Sequence, residues 1–269
     1  MDTKTVVTII CSFIAAGLAQ IVSHLFTLRR ETKNYQKACN QNLYSPIIFK
    51  LTDYIKSEGC HNAFYETDTT YQNPSEIFNE VMQHVEKNLA YTSVDIINLY
   101  QVWKRDFSRS HNNKELHDYV KFENEIDLRI TFANAFFSQF IKINKSLKSN
   151  HKVVDEELSA PYFFTHFFLL LKECTCKRPY SITHAEIFGM YDLIEAMLLP
   201  INNYTERIIA IRNDLDKVFS TPLYKNSERV HQAHLSAYEL LYEIVNEFAV
   251  FSEDRANELK EILDDSIQN

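Results

Sequence analysis

The sequence predicts an all-α protein: one uncharged N-terminal helix long enough to cross a bilayer, followed by a soluble multi-helix bundle. Three observations carry this. Glycine occurs only 3 times and proline 6 times in 269 residues, too few for the tight turns of a sandwich or of a phosphate-cradling α/β fold. Apolar residues recur at helical spacing through most of the chain. No charged side chain lies between Thr5 and Leu28.

That first stretch carries Val6, Ile10, Ile14, Leu18, Ile21, Val22 and Leu25 among its apolar residues. At ~1.5 Å per residue it covers the roughly 30 Å hydrocarbon core of a membrane. Gln20 and His24 interrupt it toward the C-terminal end, where polar side chains reach the interface. Gly17 and Ala19 offer a small-residue pair of the kind a signal peptidase accepts, but the apolar run continues past them. Arg29, Arg30, Lys33 and Lys37 follow the span, whereas Lys4 alone precedes it. Basic flanks stay on the cytoplasmic side, so the N-terminus is expected outside and the rest of the chain in the cytoplasm.

Three regions follow from this: a membrane segment over 1–28, a helical stalk over 29–56 and a cytoplasmic helical domain over 57–269. Pro46 is expected to interrupt the stalk, and Ile47, Ile48, Leu51 and Ile55 to pack on the domain. Residues 57–73, polar and containing Gly59, read as a loop. Asn73-Pro74-Ser75-Glu76 combines a capping residue, a proline at the first helical position and an acid in the first turn. A second helix starts at Thr92 or Ser93 and forms a hairpin with the first. The longest helix runs from about Lys114 to Ser149, and Ser159-Ala160-Pro161 starts a short, very apolar helix, Tyr162 to Leu171, placed at the centre of the bundle. Thr183-x-x-Glu186 opens a helix through Ile187, Tyr191, Ile194 and Leu198, and the last three helices span Tyr204 to Phe219, Ser227 to Phe251 and Glu253 to Ile267.

The net charge of −8 argues against general nucleic-acid binding. Five cysteines without regular spacing read as reduced thiols and not as a disulfide framework. There is no phosphate-binding loop, dinucleotide turn, nucleophile elbow or zincin helix, and no cofactor is implied.

Two short motifs carry possible chemistry. Arg105 to His111 resembles the arginine–spacer–histidine signature of the HEPN ribonucleases, helical proteins whose paired motifs cleave RNA across a dimer. The resemblance implies that Arg105 and His111 handle phosphate charge and proton transfer. The same loose spacing recurs at Arg178 to His184 and at Arg229 to His234, and a solvated helix end accounts for it equally. His117-Asp118 is similar to the pair that binds metal in HD phosphohydrolases, with nothing to select its partners from His84, His111 and Asp127. Glu228, His231 and His234 fall at three-residue spacing and are the candidate metal ligands; a polar helix face is the plainer account. Glu58-x-x-His61 offers a similar pair in the expected loop, and Cys174-x-Cys176 is a weak metal or redox motif.

With no convincing site, the sequence favours a non-enzymatic reading: a membrane-tethered interaction or regulatory module whose partners are the lipid bilayer and a protein or a second copy of itself. The alternatives are a membrane-anchored helical hydrolase or HEPN-like ribonuclease, and a membrane-acting effector of a bacterial or phage defence system.

Overall fold

A computed structural model describes residues 2–63, 72–110, 118–148, 152–175, 183–197, 201–219 and 227–267. Among them the fold is all-helical, without a strand. Helix α1 (Thr3–Cys39) is 37 residues long, roughly 55 Å at 1.5 Å per residue, and passes through a π-helical turn (Asn40–Tyr44) directly into α2 (Ser45–Ala63). Pro46 therefore does not interrupt the stalk. A proline is tolerated near a helix start, and the π turn lets the backbone absorb the missing N–H: Ser45 N–H bonds five residues back, to Asn40. Residues 57–63, expected in a loop, belong to α2, because Ser57 and Glu58 are buried against the body. The helix thus crosses the boundary expected at residue 57, and the remainder of that loop, 64–71, lies outside the described residues.

Helix α3 (Pro74–Lys87) starts as its sequence requires, with Asn73 Oδ1 accepting from Ser75 N at 2.9 Å and Pro74 in the first turn. Ile77, Phe78, Val81, Met82 and Val85 form its buried face. A 3₁₀ turn (Leu89–Tyr91) leads to α4 (Val94–Ser110). The expected α3–α4 hairpin is only marginal: α3 packs mainly on α2, and α4 on α5 (Asp118–Leu147).

Helix α6 (Lys152–Thr175) is the centre of the bundle. It does not start at Ser159-Ala160-Pro161 but runs through Pro161, which has no N–H to offer the preceding turn. Phe163, Phe164, Phe167, Phe168, Leu170 and Leu171 are all fully buried. Several of their ring contacts are edge-on or tilted, Phe164 against Phe188 at 5.1 Å and Tyr191 at 5.2 Å, and Phe167 against Phe248 at 5.7 Å, a geometry aromatic quadrupoles favour.

The helix expected after Thr183 is two short pieces, α7 (His184–Phe188) and α8 (Tyr191–Ala196), separated by a turn at Gly189-Met190. Its capping box is complete: the Thr183 side chain accepts from Glu186 N and the Glu186 carboxylate from Thr183 N. Then come α9 (Ile201–Phe219), α10 (Ser227–Phe248) and α11 (Glu253–Ile267). Helix α10 ends three residues earlier than expected, at a turn that leaves Val250 and Phe251 exposed.

Candidate functional site

The largest exposed apolar surface lies on α1. Phe13 is 76% exposed and Ile21 59%, and Ile14, Leu18, Val22, Leu25, Phe26 and Leu28 are also open. Apart from Phe13 they recur at three- and four-residue spacing and so share one broad face of the helix, with Gln20, Ser23, His24 and Thr27 on the other side, and among the described residues nothing from the body covers them. Monomeric soluble domains seldom expose a contiguous surface of this kind. Among the described residues, no helix is long and apolar enough to cross a membrane. The side chains of residues 5–12, which include Val6 and Ile10, lie outside that description. Arg29, Arg30, Lys33 and Lys37, on the turns that follow, are exposed.

The body grips α1 only over its last two turns and the π turn. Tyr35 donates to the Ala90 carbonyl at 3.1 Å, Ser146 to Gln36 Oε1 at 2.7 Å and Asn40 to Asn144 Oδ1 at 3.0 Å. His84 Nε2 donates to the Asn42 carbonyl at 3.0 Å. In an uninterrupted α-helix that carbonyl would receive the N–H that Pro46 lacks, so α3 supplies a substitute donor at the joint.

Inside the body, polar side chains gather in three clusters. Arg129 is buried at 6% exposure between Glu58, itself 2% exposed, at 3.4 Å, and Glu125. It donates to Ser75 Oγ at 3.1 Å and lies over the Phe78 ring at 5.3 Å. Burial pushes the neighbouring Tyr54 phenol well above its ordinary pKa, and Glu58 adds to the shift. A second cluster joins α5, α6 and α7: His184 Nε2 lies 2.7 Å from Asp127 Oδ1, Lys172 Nζ lies 3.5 Å from Oδ2, and the imidazole stacks on Phe168. In the third, Arg212 contacts His166 Nδ1 at 3.4 Å and Glu173 at 3.1 Å. Burial holds His166 down at about 3, with the Arg212 charge adding to the effect, and burial raises the Glu173 carboxyl. His166 Nε2 is buried without a hydrogen-bond partner.

None of the three clusters borders a described cavity. A cleft of about 490 Å³ lies elsewhere, between the Gly189 turn and α11, where Arg255 donates to the Gly189 carbonyl at 2.6 Å. Its walls are acidic and aliphatic, and it contains no nucleophile or histidine.

The sequence motifs are not assembled into chemistry. Arg105 is exposed on α4 in a shallow groove with Asn98 and Gln101, and His111 lies outside the described residues, as do Arg178, His117 and Cys176. Glu228 and His231 are exposed and His234 half-buried on α10, and among the described residues no group of three or more His, Cys, Asp or Glu is placed to hold a metal ion. Glu58 sits not in a loop but in α2, facing Arg129. Cys39, Cys60 and Cys174 form no disulfide among the described residues. The Glu58–Arg129 and Asp127–His184 pairs went unseen in the sequence because each joins residues dozens of positions apart; an arginine amid the apolar run of α5 was the one local sign.

No family model, curated protein or solved structure matches this chain.

Proposed function

We propose that this protein is a membrane-tethered helical module, held by α1 with its N-terminus outside and its folded body in the cytoplasm, and that it acts by binding a protein partner at the bilayer. One observation carries the reading: α1 stands off the body with a broad face of large apolar side chains exposed. Transfer of apolar surface out of water is worth about 25 cal/mol per Å², and among the described residues the body does not cover that face. The uncharged sequence supplies the rest of the length, since the backbone is helical from Thr3 and residues 5–12 add Val6, Val7, Ile9 and Ile10 to the stretch. Tethering confines the body to a thin layer and raises its effective concentration toward membrane-bound partners.

Fractionation of cells expressing the full chain tests this. The protein is expected in the membrane pellet and to resist alkaline carbonate, while a variant carrying L18D, I21D and L25D moves to the supernatant. Release of the unsubstituted chain by carbonate would refute the tether.

A further inference from the structure

We infer that the end of the body nearest α1 is a docking surface for anionic lipid headgroups. This rests on the tether proposed above and names the surface that the body presents to the membrane.

The fold brings bases from two distant parts of the sequence together here. On α1, Arg29, Lys33, Gln36 and Asn40 follow one another at four- and three-residue spacing, so they share a face. Gln36 and Asn40 meet α5 through Ser146 and Asn144. The pairing runs in opposite senses, residue 36 with 146 and 40 with 144, so the two helices are antiparallel and α5 ends pointing back along α1 toward Lys33. That end carries Lys142, Lys145 and Lys148, all exposed. Lys148 closes the helix in the left-handed region, at φ 54°.

Lys50, Lys56, Lys104 and Arg207 each hold a carboxylate. Among the described residues, the bases on this end of α1 and α5 hold none, and Glu31 is the one acid on α1 between Arg29 and Cys39. A lysine in a last helical turn answers the helix dipole, but that does not account for the convergence of two helices beside an apolar segment. The chain as a whole has a net charge of −8, so attraction to an anionic leaflet depends on a local basic surface such as this end. Each base brought there strengthens the association about fivefold, with steep screening by salt. The apolar segment next to the patch favours lipid over nucleic acid.

Trp103, the single tryptophan, provides the readout. The full chain is reconstituted into phosphatidylcholine vesicles, with or without phosphatidylserine, that contain dansyl-headgroup lipid, and energy transfer from Trp103 is measured. Transfer is expected to rise with phosphatidylserine and to fall back in high salt. A K142Q/K145Q/K148Q variant should lose most of that rise, and the corresponding triple arginine variant should keep it. Equal transfer with and without phosphatidylserine, or an unchanged rise in the glutamine variant, would overturn the inference while leaving the tether intact. Failure of the chain to stay with vesicles of either composition would instead remove the tether itself. Binding of an RNA oligonucleotide by the detergent-solubilised chain, without any response to phosphatidylserine, would also overturn it.

Discussion

Arg129 places a guanidinium inside an aromatic core, and its neighbours determine the cost of removing it. Glu58 faces it across 3.4 Å with almost no access to water, so Arg129→Ala takes the guanidinium away from a buried carboxylate. Loss of one partner of such a pair costs about 3–5 kcal/mol; chemical denaturation of R129A should show a loss of that size, and an R129M/E58M double variant should recover much of it. His166 makes a different prediction, in pH. Its folded-state pKa is about 3, below the ordinary value near 6.5, so over that interval the unfolded chain binds more protons. Its contribution to stability is present above about pH 6.5 and is lost as pH falls toward 3. The raised carboxyl of Glu173 works in the opposite sense, binding its proton more readily in the folded state. A H166F variant should therefore show a shallower loss of stability between pH 6 and 4 than the unsubstituted protein, as followed by urea titration. An equal slope would show that His166 does not titrate there.

At the scale of elements, the sequence was legible wherever a helix is specified by its own residues. The Asn73 cap and the Thr183–Glu186 box depend on neighbours within three positions, and both form. The apolar run of α6 lies at the centre because its side chains have no polar face to turn outward. What misled was proline and polarity read without tertiary context. Pro46 and Pro161 suggested breaks, yet both helices continue, one through a π turn and the other through packing that outweighs one missing hydrogen bond. Residues 57–63 looked like loop because the polarity of Ser57 and Glu58 was read without their partners, Glu58 being paired with Arg129 far along the chain. Two substitutions test the packing. Phe164→Ala removes a ring that touches Phe188 and Tyr191, and should cost about 3–5 kcal/mol, measured as a shift in denaturation midpoint. Gly59 lies inside α2, and a Cβ there would meet Tyr191 Cβ at 3.7 Å, an ordinary contact. Gly59→Ala should raise stability by up to about 1 kcal/mol through helix propensity, and a marked fall in Tm would show that Tyr191 leaves no room for the added methyl.

Among the described residues, the body buries most of its apolar side chains, whereas the first part of α1 leaves its own exposed. The candidate site was legible in the sequence to the extent that it is a composition: an uncharged stretch followed by bases. The part that needs the fold was hidden, because only the antiparallel meeting of α1 with α5 brings Lys145 and Lys148 toward Lys33. The His184–Asp127 pair opens to no described cavity, and Arg105 stands exposed on α4. The environment of α1 is therefore the central question, and a spin label at position 21, introduced as Ile21→Cys in the full chain reconstituted into vesicles, addresses it directly. High accessibility to dissolved oxygen with low accessibility to a water-soluble nickel chelate places that side chain in lipid, as the account predicts, whereas ready access of the chelate would contradict it.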